Sequence, residues 1–110
     1  MIERRKIREN EHTLIAFLLK QLGVSEVEYP INTQVYEYED GKMGSISLGV
    51  DDATYDSDMT QVEYMDSDQT PVVITLTKDT NNQLLDLDFW KTDFSKLIEY
   101  PKPENLILDK

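Results

Sequence analysis

Apolar residues recur at helical spacing near the start of the chain and at alternate positions further along it. In residues 10–22 the apolar positions are Leu14, Ile15, Phe17, Leu18, Leu19 and Leu22. Because residues three and four apart lie on one face of a helix, this segment is predicted to form a helix that packs on the core. Asn10 is the predicted N-cap, and Gly23 is predicted to end the helix.

From residue 34 onwards the pattern has a period of two, which is typical of β-strands. The predicted strands are 34–39, 43–50, 59–65, 72–77 and 84–90. Asp40 and Gly41 are predicted to turn the chain between the first two strands and so form a hairpin. Short strands linked by turns favour an antiparallel meander of about five strands with the N-terminal helix on one face. The predicted fold class is therefore α+β.

The length of the chain, 110 residues, is that of one domain with a single hydrophobic core. Residues 1–110 are therefore expected to form a single domain. Residues 101–110 contain Pro101 and Pro103, which oppose regular structure, and are expected to be a docked or mobile tail. The residues predicted to share the core are Phe17, Leu18, Leu85, Leu87, Phe89 and Trp90.

Charge changes the picture because it is unevenly distributed. The chain has 22 acidic and 11 basic residues, a net charge of −11. Residues 24–68 hold 12 of the acids and one base, Lys42, so the whole excess lies in the middle of the chain. A field of this sign repels nucleic-acid phosphates and anionic lipid and attracts basic surfaces. We expect no nucleic-acid or membrane binding; the charge serves either a basic protein partner or solubility.

The acidic stretch supplies the predicted partner-binding residues. These are Asp51, Asp52, Asp56, Asp58, Glu63, Asp66 and Asp68. A basic cluster, Arg4, Arg5, Lys6 and Arg8, stands near the start of the chain. This cluster is expected to pair within the chain with the acidic middle rather than bind an external anion.

The acidic residues match no metal-binding motif. Asp66 and Asp68 open like a calcium loop, but Pro71 and Thr77 stand where such a loop needs glycine and a bidentate glutamate. The loop from Asp51 to Asp58 has enough carboxylates to hold a hard cation, and a cation-binding domain is one alternative function. A solvated acidic loop is the commoner explanation, so no metal or cofactor is expected.

Two further positions bear on catalysis. Asp86 and Asp88 alternate with apolar residues, which places both carboxylates on the polar face of the last strand, where acid–base chemistry is conceivable. His12 has no activated nucleophile near it in the sequence. A small enzyme that uses these groups is the other alternative function, whereas a polar outer strand face is the commoner reading.

The chain has no cysteine, which excludes disulfides and thiol chemistry and fits a reducing compartment. Its first residues lack the pattern of a secretory signal, and its apolar runs are far shorter than the ~20 residues that span a bilayer. A cytoplasmic location is expected.

Two segments carry a resemblance to a known family. They are Asp40-Gly41-Lys42-Met43-Gly44-Ser45 and the segment that runs from Leu85 through Trp90 to Leu97. They resemble a family of small, acidic, uncharacterised bacterial proteins, a domain of unknown function. Its members share a Gly-Met-Gly-Ser-like turn and a Leu-Asp-x-Trp-Lys-x-Asp-Phe-like ending. The resemblance covers most of the chain and leaves out the tail. Family members are similar in size to immunity proteins of bacterial toxin systems. The resemblance therefore implies a fold but no activity.

The sequence therefore favours a non-enzymatic protein-interaction module, immunity-like in character, whose acidic middle binds a basic partner. Trp90 and Phe94 are expected to act in packing, as apolar rings that anchor the corner where the last strand leaves the sheet.

Overall fold

A computed structural model describes residues 3–38 and 42–108 of the chain. Within these residues the chain forms one α-helix, seven β-strands and a short 3₁₀ helix, Pro103–Asn105. The helix α1 is Glu9–Gln21. The strands are β1 Arg5–Lys6, β2 Gln34–Glu37, β3 Ile46–Ser47, β4 Tyr55–Met65, β5 Pro71–Asp79, β6 Leu84–Lys91 and β7 Leu106–Ile107. The turn predicted at Asp40 and Gly41 lies outside the described residues.

The helix starts earlier than the sequence indicates. Its N-cap is Arg8, and the prediction of Asn10 is wrong. The reason is Glu11, whose buried carboxylate accepts a hydrogen bond of 2.8 Å from the Arg8 backbone N–H and so satisfies a donor that the helix start leaves free. Gly23 follows the helix with φ of +76°, as expected for its end.

The seven strands form one antiparallel sheet in the order β1-β2-β3-β6-β5-β4-β7. The α+β class is confirmed, with seven strands rather than about five. Strands β4, β5 and β6 follow one another as in a meander, whereas β3 pairs with β6, with Ile46 opposite Leu87. The connection from β3 to β4 therefore passes over two strands, a step that hydrophobic periodicity alone does not reveal.

The core lies between α1 and one face of the sheet, called here the inward face. Leu14, Ile15, Leu18 and Leu19 of the helix form one buried cluster with strand residues. The main strand members of this cluster are Val35, Ile46, Val62, Tyr64, Val72, Ile74, Leu76, Leu87 and Phe89. Trp90 was expected in the core, but it follows the inward-facing Phe89 and is 47% exposed on the other face.

The opposite face of the sheet, called here the outward face, is open. In the part of the chain that the structure describes, the α-helix packs on the inward face. Exposed residues that alternate with the core residues of β4 and β6, such as Glu63, Asp88 and Trp90, point away from the helix. The outward face of β4 and β6 therefore carries exposed side chains, whereas Thr75 and Thr77 of β5 between them are buried.

Residues 101–108, in the segment after β6, are docked on the rest of the domain. Pro101 is buried, and Leu106 and Ile107 pair with Tyr64 and Glu63 of β4. The Tyr64 hydroxyl donates a hydrogen bond of 2.9 Å to the Glu99 carbonyl and fixes the approach of this segment. No helix among the described residues is long and apolar enough to cross a membrane.

Candidate functional site

The predicted partner-binding residues do not form one patch, because the fold distributes them over several surfaces. Asp51 pairs with Arg4 at 3.2 Å, and Asp56 lies 3.9 Å from the ammonium group of Lys78. Asp52 is exposed in the loop before β4. The charge of this loop is therefore partly neutralised by the chain itself.

The three arginines of the N-terminal basic cluster pair within the chain, as expected. Arg5 binds Glu37 at 2.9 Å, and Arg8 lies 3.4 Å from the same carboxylate. Arg5 also binds the buried Glu11 at 2.7 Å. All three arginines of the chain, the third being Arg4, are thus engaged with carboxylates.

Asp66 is part of the interior, which corrects its place among the predicted partner-binding residues. It is 1% exposed and lies 2.9 Å from the Nζ of Lys91, which is itself fully buried. Lys91 also donates to Asp68 at 2.8 Å and to the Lys96 carbonyl at 3.0 Å. Lys91 is inward because it continues the alternation of Leu87 and Phe89 along β6.

This buried ion cluster is complete. Asp66 accepts four hydrogen bonds, from Lys91 and from the backbone N–H groups of Ser67, Ile98 and Glu99. Burial, the largest single influence, raises the pKa of Asp66, but these donors outweigh it and hold the pKa below its usual value. The pKa of Lys91 is raised, because hydrogen bonds to Asp68 and Asp66 outweigh the lowering effect of its burial. The cluster joins the β4–β5 turn to the segment after β6.

The remaining predicted residues, Asp58 and Glu63, lie on the outward face with Asp86 and Asp88. In the register of the sheet Asp58 is opposite Thr77, and Glu63 is opposite Val73, which in turn is opposite Trp90 of β6. Among the described residues, no basic side chain forms a salt bridge with any of these four carboxylates. This face therefore carries uncompensated negative charge.

An open cavity of about 620 Å³ lies on the outward face along β6. Its walls are Tyr38, Lys42, Met43, Ser45, Asp86, Asp88, Phe89, Trp90 and Phe94. Most of these residues come from the two segments that carry the family resemblance. Those segments are distant in sequence and meet because β3 pairs with β6.

The acidic side of the cavity is built from Asp86 and Asp88. The Tyr38 hydroxyl donates to Asp86 at 2.7 Å, and no other donor among the described residues contacts that carboxylate. Burial raises the pKa of Asp86, and the charge of Asp88 adds to the rise, whereas the Tyr38 hydrogen bond lowers it. Burial and the bond to Asp86 together raise the pKa of Tyr38 to about 12, so this hydroxyl stays protonated.

Ser45 positions Asp88 from the neighbouring strand region. Its Oγ accepts a hydrogen bond of 2.8 Å from the Phe89 backbone N–H and lies 3.2 Å from Asp88 Oδ1. The preceding residue, Gly44, has φ of +98°, a conformation that favours glycine, and a Cβ there would lie 3.3 Å from Leu97 Cδ2. A side chain at Gly44 would therefore strain the backbone next to Ser45.

The aromatic side of the cavity is built from Trp90 and Phe94. Their ring centroids are 6.4 Å apart with an interplanar angle of 52°. Both rings are exposed, Phe94 by 64%. The packing role expected for the two rings therefore gives way to an exposed aromatic pair at the wall of a cavity.

The chemical groups of the cavity wall come from strand β6 and from the segment before β3. The cavity wall offers carboxylates, a phenol, an ammonium group and the Ser45 hydroxyl, which donates to Asp88 and accepts from the Phe89 backbone N–H. His12 pairs with Glu26 at 3.3 Å and is not part of the cavity. Among residues 3–38 and 42–108 no three acidic or histidine side chains converge in a way that could hold a metal ion.

Comparisons with known proteins place the chain in a family without assigning an activity. Comparison with curated proteins and with solved structures gives no match. A family model described as a domain of unknown function (DUF6984) matches residues 4–101. The match confirms the expectation of an uncharacterised family and ends at the residue where the tail was predicted to begin. Since it spans most of the 110 residues, the chain belongs to the DUF6984 family.

Proposed function

We propose that this protein is a non-enzymatic interaction module that binds a basic surface of a partner protein through the outward face of its sheet. The observation that carries the proposal is that this face is uncovered and holds four carboxylates without basic partners among the described residues, Asp58, Glu63, Asp86 and Asp88. Uncompensated charge of one sign steers a partner of opposite charge and fixes its orientation.

The exposed apolar side chains of the same face support the proposal. Trp90 is opposite Val73, and Glu63 is opposite Ile107 of the edge strand, which is 53% exposed. Aromatic residues beside polar groups are typical of the energetically important centre of protein interfaces.

An immunity-like role belongs to this proposal: the acidic face would cover the basic surface of a toxin in the cytoplasm of a bacterium. The rival enzymatic role would use Asp86 as an acid, supported by its raised pKa and its position in a cavity. We favour binding because the cavity is open, and because its one serine hydroxyl, that of Ser45, is buried and hydrogen-bonded to the backbone of β6.

The test uses two variants of equal charge. The face variant combines Asp58→Asn, Glu63→Gln, Asp86→Asn and Asp88→Asn. The control variant combines Glu3→Gln, Glu9→Gln, Glu99→Gln and Glu104→Gln, which are exposed carboxylates elsewhere on the chain. Each is immobilised beside the wild-type protein and exposed to a lysate of the native cell at about 0.05 M and about 0.5 M salt.

We expect one or more basic proteins to bind the wild type and the control variant at low salt and to be lost from the face variant. Binding should also weaken at high salt, because exposed charges are screened. Equal retention by the face variant and the wild type, with both folded in thermal melts, would show that the outward face is not the binding surface.

A further inference from the structure

We propose that the cavity along β6 binds the guanidinium group of an arginine side chain presented by the partner. This inference rests on the proposed function and adds the chemistry of the central contact. It joins three features of the cavity: two carboxylates, an aromatic pair beside them, and space between them that is open to solvent.

The spacing of these groups follows from the strand. Asp86, Asp88 and Trp90 are alternate residues of β6, so successive side chains on the outward face are about 7 Å apart. A guanidinium group beside Asp88 therefore has a carboxylate on one side and an indole ring on the other. Arginine is the side chain that uses both, because its planar cation binds carboxylates in a bidentate way and stacks on aromatic rings.

Among the described residues no cation forms an ion pair with the acidic side of the cavity. Asp86 is half-buried and receives one hydrogen bond, from Tyr38, among the described residues. Partial withdrawal from water without a positive partner is unfavourable for a carboxylate, and an incoming guanidinium relieves it. The net charge of −11 attracts such a group from a distance.

The aromatic side has a backbone feature that stability does not explain. Phe94 has φ of +63°, a left-handed conformation that is unfavourable for a residue with a side chain. Its ring is 64% exposed, so burial returns little of this cost. The turn, closed by a hydrogen bond of 2.8 Å from the Phe94 N–H to the Lys91 carbonyl, instead holds the ring beside Trp90. An aromatic wall for a cation accounts for this geometry.

Lys42 is the one basic side chain in the described wall of the cavity, and it is exposed. Its charge repels a guanidinium and limits the affinity for one. Replacing it by Gln is therefore expected to strengthen arginine binding, whereas Asp88→Asn and Phe94→Gly are expected to weaken it.

The first experiment uses N-acetyl-L-arginine N-methylamide as the probe and ¹⁵N-resolved NMR as the readout. Trp90 is the single tryptophan, so one indole N–H signal reports on the cavity. The arginine probe is expected to shift this signal and the Asp88 amide saturably. The citrulline analogue, which keeps the shape and lacks the charge, should not do so. The lysine analogue should bind several-fold more weakly, since ammonium is a strongly hydrated point charge.

Variants locate the binding. Asp88→Asn and Phe94→Gly should each weaken the arginine probe about tenfold, equal to about 1.4 kcal/mol, and Lys42→Gln should strengthen it. Phe94→Gly suits the strained turn and is expected to stay folded. Equal shifts by the arginine and citrulline probes, or unchanged binding to Asp88→Asn, would overturn the inference.

The same variants separate this inference from the proposed function. If a captured basic partner is lost from the face variant but binds Phe94→Gly as tightly as the wild type, the outward face binds partners and the arginine cavity is wrong. If the arginine probe binds as expected and the face variant captures the partner as well as the wild type does, the cavity binds arginine and the proposed function is wrong. Loss of the partner from both variants, together with arginine binding, supports both.

Discussion

Asp66 and Asp86 are carboxylates on two faces of the same sheet, and the chain treats them differently. Asp66, on the inward side, is 1% exposed and accepts four hydrogen bonds, one of them from the buried ammonium of Lys91. Asp86, on the outward side, is half-buried and accepts one, from the neutral hydroxyl of Tyr38. The Asp66 carboxylate has its hydrogen-bond and charge partners within the chain, whereas the Asp86 carboxylate is partly desolvated and forms no ion pair with any described residue.

The pKa directions express this difference. Burial raises both values, but at Asp66 the donors outweigh burial and lower the pKa, whereas at Asp86 burial prevails and raises it. A carboxylate that the fold stabilises by hydrogen bonds and a cation has a structural role. A carboxylate whose charged form the fold destabilises by partial burial can be stabilised by a ligand. The acidic composition of the chain therefore contains two kinds of carboxylate with different roles.

The largest effect is expected for Asp66→Ala. Removing one partner of a buried ion pair leaves Lys91 buried with less compensation and leaves three backbone N–H groups without their acceptor. We expect a loss of about 3 to 5 kcal/mol in the free energy of unfolding, measured in urea. Asp86→Ala is the matched control and should change it by less than about 1 kcal/mol. Similar losses for the two variants would remove the distinction between the faces.

Acid should destabilise the protein through the same cluster. Because the pKa values of Asp66 and Asp68 are lower in the folded than in the unfolded chain, their contribution is fully present well above the unfolded value of about 3.9. It is lost as the pH falls below that value towards the folded pKa. Urea unfolding of the wild type and Asp66→Ala should be measured from neutral pH into this range. The difference between their free energies of unfolding should become smaller as the pH falls. A constant gap would exclude ionised Asp66 as the source of the stability.

The sequence predicts which residues face the core better than it predicts which strands are neighbours. Alternation in β6 identifies Leu87 and Phe89 as inward and Asp86 and Asp88 as outward, and both assignments are confirmed. The pairing of β3 with β6 depends on contacts between residues 39 and 41 positions apart, Ser47 with Asp86 and Ile46 with Leu87, which local periodicity does not encode. The family match and the α+β class need no such contacts, and both are confirmed.

The candidate site was harder to predict for the same reason. Charge counting emphasised the middle of the chain and included Asp66, because a sequence does not reveal that Lys91 reaches it from 25 residues away. Hydrophobicity counting assigned Trp90 to the core, although strict alternation after Phe89 placed it outside. The available signal was an aromatic residue in register with two aspartates on one strand face.

A smaller effect is expected for Trp90→Ala. A fully buried tryptophan costs about 3 to 5 kcal/mol on truncation, whereas this one is 47% exposed and lies opposite Val73 on the open face. We expect a loss of about 1 kcal/mol in urea. Leu87→Ala, at a fully buried position of the same strand, is the control and should cost about 2 to 5 kcal/mol. A loss for Trp90→Ala as large as that of Leu87→Ala would place the ring in the core after all.

The smallest effect on stability is expected for Asp86→Asn, and it is a gain rather than a loss. The pKa of Asp86 is higher in the folded than in the unfolded chain, so the folded state binds the proton more tightly. Stability from this group is therefore greatest in acid and declines as the pH rises through the unfolded value of about 3.9 and then through the folded value. Asparagine cannot ionise and still accepts the Tyr38 hydrogen bond.

Above this pH window the free energy of unfolding of Asp86→Asn should exceed that of the wild type by less than about 1 kcal/mol, because solvent screens the group. In acid the two proteins should have equal stability. Urea unfolding at neutral and acidic pH measures both values, with the more exposed Asp88→Asn as the control for loss of one charge. A loss of stability at neutral pH would mean that the chain already uses the charge of Asp86, and no ligand would then be needed to complete it.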